Sequence, residues 1–80
     1  MDTVRINAHI LKLAKRYSNN PQEIDLDTPI EGSGLDSLAA FEMVYEIEEQ
    51  NAIELDDIDL ASIKTFGDLS ETVQKRIAQG

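Results

Sequence analysis

Apolar side chains recur at helical spacing from the start of the chain. Ile6, Ile10, Leu13, Ala14 and Tyr17 fall on one stripe, with Lys12, Lys15 and Arg16 largely on the other side. A spacing of three and four residues is the repeat of a helix with one buried face, so the pattern predicts a helix over 3–17. Its cations lie near the C-terminal end, where the helix dipole favours positive charge. Ser18-Asn19-Asn20-Pro21 stops it. From Gln22 to Leu35 the period is lost, and Ile24, Leu26 and Ile30 stand alone among turn formers and acids. So long a connection needs a reason. Those three apolar residues are expected to pin it across the helix ends, with one short helical turn of its own. A second period runs from Ser37 to Gln50. At about 100° per residue, Ala40, Met43, Val44 and Ile47 gather on a core face, while Glu42, Glu46 and Glu49 gather opposite. Leu38, Phe41 and Tyr45 lie on the flank between the two arcs. The acidic run Ile53 to Ile63 is too short for a full helix, and reads as an extended lead-in followed by one or two helical turns near Asp57 to Ala61. Thr65-Phe66-Gly67-Asp68 then opens a last helix through Phe66, Leu69, Val73 and Ile77. This helix is expected to run to about Ile77 and to fray at Gly80.

Three longer helices and one short one, with no alternating strand pattern, predict an all-α fold: a small four-helix bundle with a long loop between helices one and two. The 80 residues are expected to form a single domain, 1–80. A chain of this size buries only about 60–65% of the surface its unfolded form exposes. So small a core leaves little room for a deep enzyme active site.

Charge and cysteine usage narrow the function classes. Seven Lys and Arg stand against 16 Asp and Glu, a formal net charge of −9. That balance argues against nucleic acid and anionic membrane surfaces as partners, and for basic proteins. With no Cys, the protein has no disulfide, thiolate metal site or thiol nucleophile of its own. No apolar run approaches the ~20 residues of a membrane span. With no signal peptide at its start, the chain is expected to be a soluble, cytoplasmic monomer. Asp25, Asp27 and Glu31 do not meet the spacing of a calcium loop. Asp56, Asp57 and Asp59 read as a solvated face with room for loosely held divalent cations, so no dedicated metal site is expected. His9 has no second ligand type nearby and reads as a surface or structural residue.

The chemistry concentrates at Gly34-Leu35-Asp36-Ser37-Leu38, where the turn-rich loop gives way to the second helix. Asp36 suits the N-cap position, accepting from first-turn amides. No Glu or Gln follows three residues later, because Asp36 is followed by Ala39 and Ser37 by Ala40. Ser37 is therefore not needed for capping. Its hydroxyl lies at the positive end of a helix dipole, where a phosphate ester is electrostatically favoured. A catalytic reading would need a base for that hydroxyl. Asp36 is merely adjacent, and the lone imidazole, His9, is on another helix. The chain is not expected to be an enzyme.

With the helix Phe41-Glu42-Met43-Val44-Tyr45-Glu46-Ile47-Glu48-Glu49 that follows, this motif resembles the start of the second helix in acyl carrier proteins. The resemblance extends to chain length, acidity and helix order. It implies that Ser37 bears a covalent 4′-phosphopantetheine arm, with acyl groups carried on the arm's thiol as thioesters. It implies a phosphopantetheinyl transferase as one partner, and acyl-transferring and acyl-processing enzymes with basic surfaces as others. Docking then falls to Asp36, Leu38, Phe41, Glu42, Tyr45, Glu46 and Glu49. A pocket sheltering the acyl chain falls to Ile30, Ile47, Leu55, Leu60, Ile63 and Leu69, although each of these is equally suited to an ordinary core. Three positions depart from the family's usual pattern. Ser33 replaces an apolar residue, so its loop is expected to be less well anchored. Ala39 replaces an acid, and Asn51-Ala52 replaces a Phe. They point as much to a specialised lipid or polyketide carrier as to the carrier of primary fatty-acid synthesis.

Two alternatives stay open on sequence alone. One is an aminoacyl or peptidyl carrier, which Asp36 and the strong acidity disfavour. The other is a small acidic helical adaptor in which Ser37 is merely part of a helix cap. Whatever the function, −9 on 80 residues predicts a fold sensitive to ionic strength. The screening length shortens from ~30 Å at 0.01 M to ~10 Å at 0.1 M salt. The melting temperature should rise across that range, and a flat profile would contradict self-repulsion as a destabilising force.

Overall fold

The computed structural model describes residues 3–79. Helix α1 spans Thr3–Tyr17, α2 Ser37–Asn51, α3 Asp57–Ser62 and α4 Phe66–Gln79, with a single 3₁₀ turn at Pro21–Glu23 in the long loop. The predicted bundle of three longer helices and one short one is thus the observed fold. The second, third and fourth helices extend one or two residues beyond their predicted ends, while the predicted fraying of Gly80 lies outside the described residues.

The apolar stripes explain the packing. Ile10, Leu13 and Ala14 of α1 meet Met43 and Ile47 of α2 and Phe66, Leu69 and Val73 of α4 in one cluster, joined by Ile24 and Leu55 from the connections. Helix α1 packs on both α2 and α4. A polar seam reinforces the second contact: the buried Ser70 hydroxyl donates to the side-chain oxygen of Asn7, and Gln74 accepts from the Thr3 hydroxyl at 2.8 Å. The α1–α2 contact carries its own polar tie. Tyr17 donates to Glu46 at 3.0 Å, and Arg16 and Gln50 reach the same carboxylate at 3.4 and 3.1 Å. That carboxylate pushes the Tyr17 phenol above its ordinary pKa. The His9 imidazole is half-buried on α1, and its Nε2 has no partner among the described residues.

The long loop is tied at both ends. Ile24 is buried and Leu26 and Ile30 are half-buried, as their isolation in the sequence predicts. Backbone bonds run from Ile30 N–H to Lys64 O (2.8 Å), Phe66 N–H to Thr28 O (3.2 Å) and Gly67 N–H to Leu26 O (2.8 Å), stitching the loop along the α3–α4 connection. At the other end the loop returns to the tail of α1. The Ser18 hydroxyl donates to Ser33 O at 2.6 Å, and Asn19 N–H donates to Gly34 O at 3.2 Å. Gly34 has φ +88°, and a Cβ there would lie 2.7 Å from the Ser18 hydroxyl and 3.1 Å from the Asn20 amide. Only glycine fits both demands. Ser33 is buried and its own hydroxyl bonds to Ile30 O at 2.6 Å. The expectation of a poorly anchored segment around Ser33 is therefore corrected: the small side chain is buried and bonds to Ile30 O, and the Ser33 carbonyl is held by the Ser18 hydroxyl.

Helix α3 is held differently. Asp56 accepts from Asp59 N–H at 2.8 Å and Asp59 accepts from Asp56 N–H at 3.2 Å, a reciprocal cap closed by an Asp in place of Glu. Thr65 and Asp68 cap α4 in the same way, and bonds from the Thr65 and Lys64 amides hold the Asp68 carboxyl below its ordinary pKa. Arg76 of α4 then bonds both acids of the α3 cap, reaching Asp59 through Nε at 3.0 Å and Nη2 at 2.5 Å, and Asp56 at 3.1 Å. Two of the three acids read as a solvated, cation-holding face are therefore used within the chain. No group of three or more His, Cys, Asp or Glu among the described residues is placed to hold a metal ion.

Two backbone tests follow. Gly34→Ala should cost about 1–3 kcal/mol, from the positive φ and the crowding at Ser18. Ala52 closes α2 in the left-handed region at φ 54°, so Ala52→Gly should raise stability by about 0.5–1 kcal/mol. Urea unfolding checks both, and a neutral Gly34→Ala would contradict the close approach. A pH test addresses the α3 cap. The Arg76 guanidinium holds the Asp59 carboxyl below its ordinary value, so the folded state gives up that proton more readily. The resulting stability is fully present above the unfolded pKa of about 3.9 and is lost as pH falls through the folded value. The stability difference between the parent and Arg76→Gln should be constant above about pH 5 and shrink below about pH 4. A difference independent of pH would show that the pair does not act through Asp59.

Candidate functional site

Asp36 forms the N-cap of α2 with extended backbone, and its Oδ1 accepts from Ala39 N–H at 2.7 Å. The Asp36 carbonyl takes Ala40 N–H at 2.9 Å. With the cap filled by Asp36, the next residue's side chain is spare. Ser37 is exposed and its hydroxyl makes no hydrogen bond among the described residues. The amides of Ser37 and Leu38 precede the first intrahelical donor and likewise have no acceptor among the described residues. A reachable hydroxyl thus sits beside unpaired donors at the positive end of a 15-residue helix. Among the described residues no base bonds that hydroxyl: Asp36 is committed to the cap, and His9 lies on α1.

One turn on from Ser37, Ala40 and Phe41 lead into an open, largely apolar cleft of about 790 Å³. Its walls are the loop at Ile30, α2 at Phe41 and Val44, α3 at Leu60, the α3–α4 connection at Ile63, and α4 at Leu69. Four of the six residues assigned to an acyl pocket therefore meet in one place: Ile30, Leu60, Ile63 and Leu69. The other two do not. Ile47 is turned fully into the core, and Leu55 packs against its edge, beside a separate polar cleft with Glu48, Asp56 and Arg76. Phe41 and Val44, placed by the sequence pattern on the docking flank and the core face, instead line the apolar cleft, Phe41 while still largely exposed.

The outer face of α2 is apolar and acidic. Leu38, Phe41 and Tyr45 are 68, 67 and 62% exposed, and Glu42 and Glu49 stand beside them in solvent. Glu49 lifts the Tyr45 phenol above its ordinary pKa. Glu46 departs from this set. It is half-buried, with its carboxylate occupied by Tyr17, Arg16 and Gln50, so its place in the expected docking face is corrected to a tie between α1 and α2. Helical period placed Glu46 on the acidic arc, but period alone does not show that α1 ends beside it. The sequence reading also missed Arg76, which no local spacing connects to acids 17 and 20 residues away. No helix among the described residues is long and apolar enough to cross a membrane.

These features accord with the chain's relatives. The family described as "Phosphopantetheine attachment site" matches residues 8–73. An acyl carrier protein of Clostridium perfringens is 36% identical over 62 residues, covering 76% of this chain and 82% of the relative. An acyl carrier protein homolog of Ureaplasma parvum is 31% identical over 67 residues, covering 84% and 87%. An acyl carrier protein of Rhodococcus erythropolis is 31% identical over 61 residues, covering 75% and 67%. The spare hydroxyl, the unpaired amides and the neighbouring apolar cleft suit a covalently attached phosphate-linked arm. The chain therefore belongs to the acyl carrier protein family, whose members bear covalent 4′-phosphopantetheine and serve acyl-processing enzymes and an activating transferase as carriers rather than as catalysts.

Proposed function

We propose that Ser37 is the attachment residue, that the cleft beside it shelters an acyl chain, and that the outer face of α2 docks basic partner enzymes. The observation that carries the reading is the division of labour at the start of α2. Asp36 fills the cap, which leaves the Ser37 hydroxyl exposed and unbonded. The arm supplies a terminal thiol that holds acyl groups as thioesters. The chain's own residues do the rest. The Ser37 hydroxyl provides the oxygen that is esterified. The unpaired amides of Ser37 and Leu38 favour negative charge next to it, which offsets the nearby Asp36 carboxylate. Ile30, Phe41, Val44, Leu60, Ile63 and Leu69 provide an apolar lining. Such a lining lowers the free energy of a hydrocarbon chain by about 0.8 kcal/mol for each CH₂ withdrawn from water. That preference favours acyl cargo over an amino acid, whose ammonium group the cleft has no carboxylate to pair with except Glu31 at its rim.

Docking falls to Asp36, Leu38, Phe41, Glu42, Tyr45 and Glu49. Exposed apolar anchors ringed by carboxylates give a partner both contact area and a charge pattern to match. Glu46 is left out of this face because its charge is already paired. The chain acts as a monomer in this reading, passing among partners that each bring complementary cations.

Loading by a phosphopantetheinyl transferase with coenzyme A, followed by intact mass, tests the proposal. Ser37→Ala should abolish the mass gain without changing far-UV helicity, and an Ala protein that still gains the arm would refute the assignment. Glu42→Lys should leave stability within about ±0.5 kcal/mol yet slow initial loading at low salt, with the difference eroded as salt is added. Leu38→Ala should likewise spare the fold and weaken the docked complex, whereas Ile47→Ala should cost roughly 2–5 kcal/mol as a core truncation. Should Leu38→Ala melt as early as Ile47→Ala, or Glu42→Lys load at the parent rate in low salt, docking does not use this face.

A further inference from the structure

Helix α3 forms one wall of the apolar cleft, yet it is the least embedded of the four α-helices. None of its six residues is buried, and Ile58 is 81% exposed. Only Leu60, with Ile63 just beyond the helix end, turns partly toward the core. The segment is strung between two anchors. On its N-terminal side Leu55 is buried, and its amide donates to Glu48 at 2.7 Å. On its C-terminal side Lys64 O accepts from Ile30 N–H at 2.8 Å, and the Lys64 amide bonds to Asp68 at 3.1 Å. Between those anchors the polar contact that draws α3 onto the bundle is made by Arg76. Its guanidinium bonds Asp59 at 3.0 and 2.5 Å and Asp56 at 3.1 Å, gripping both members of the α3 cap. A planar fork bonding two carboxylates holds direction as well as distance, which a lysine cannot reproduce.

We propose that Arg76 is a specificity-determining latch: by holding α3 against α4 at Asp56 and Asp59, it limits how far the cleft opens and so the length of acyl chain it accepts. This rests on the reading of the cleft as the acyl shelter. Arg76 touches no cargo and acts through α3. With the fork released, the segment between Leu55 and Lys64 bows outward, carrying Leu60, Ala61 and Ile63 away from Phe41 and Val44 and lengthening the space between α2 and α3. Elsewhere the cleft walls are fixed by buried packing of Leu69 and by the Ile30–Lys64 backbone bond, so α3 is the wall that can move.

The test uses full-length protein loaded by a phosphopantetheinyl transferase with coenzyme A carrying short, medium or long straight-chain acyl groups. In the parent, the melting temperature should rise with chain length and level off once the cleft is filled. In Arg76→Gln the levelling point should move to longer chains. Amide hydrogen exchange of unloaded protein should be about tenfold faster at 57–62 in the variant, and unchanged in α1. Arg76→Lys, which keeps the charge but loses the planar fork and the separate Nε bond to Asp59, should fall between the two. Asp59→Asn keeps an oxygen for the cap while removing the charge, and should shift the levelling point as Arg76→Gln does. If the parent responds to chain length and Arg76→Gln levels off at the same length, the latch is refuted while the cleft reading stands. If no acyl length changes the parent's melting temperature, the cleft reading fails and the latch fails with it.

Discussion

The arrangement depends first on how closely the long loop passes the tail of α1. Gly34 lies against Ser18, Asn19 and Asn20 with no room for a side chain, and its positive φ turns the backbone there. From that contact the chain has only Leu35 before the cap at Asp36. The start of α2 is thereby fixed in space by backbone contact, and Ser37 is delivered to the surface by a turn that has no slack. The first residue of the Gly34-Leu35-Asp36-Ser37-Leu38 motif thus has a steric role, the third an electrostatic one, and the fourth is left free by the other two.

A second constraint shapes what lies beside Ser37. The loop is laid along the α3–α4 connection by backbone bonds at Leu26, Thr28 and Ile30. Ile30 is therefore placed opposite α2, and the space between becomes a cleft. A tight hairpin between α1 and α2 would have closed it. Helix α3 contributes no buried residue to the core, so its wall of the cleft is attached by the half-buried Leu60 and by the Arg76 bonds to Asp56 and Asp59. Charge also divides the surface. Helices α2 and α3 carry acids and no base, whereas Arg5, Lys12, Lys15 and Arg16 fall on α1, Lys75 and Arg76 on α4, and Lys64 alone on the α3–α4 connection at the cleft. The acidic face that a basic partner would meet is thus the face that bears Ser37 and the cleft.

Much of this was legible in the sequence because it is local. Helical period placed α1, α2 and α4 within a residue or two, since each stripe repeats often enough to set its phase. The free state of Ser37 followed from the absence of a Glu or Gln at the third residue after either candidate cap. What could not be read was tertiary. Glu46 belongs to the acidic arc by period, but Tyr17 and Arg16 come to it across an interface that no spacing announces. Asp56 and Asp59 look like solvated acids until Arg76 is folded onto them. Ile47 and Leu55 were correctly inward, yet period cannot say which side of the inward arc faces a cleft and which a core. Ser33 differs from expectation for a related reason: its burial and the bond from the Ser18 hydroxyl to its carbonyl exist only once the loop has returned to the tail of α1.

One measurement tests most directly whether Ser37 is the residue that bears the arm. Protein isolated from its own host should be digested and fragmented so that the added mass is located along the chain. The peptide containing Asp36-Ser37 should carry 4′-phosphopantetheine on Ser37, with any acyl group on the arm. An added group on Ser18, Ser33, Ser62 or Ser70, or an arm found on no residue at all, would contradict it.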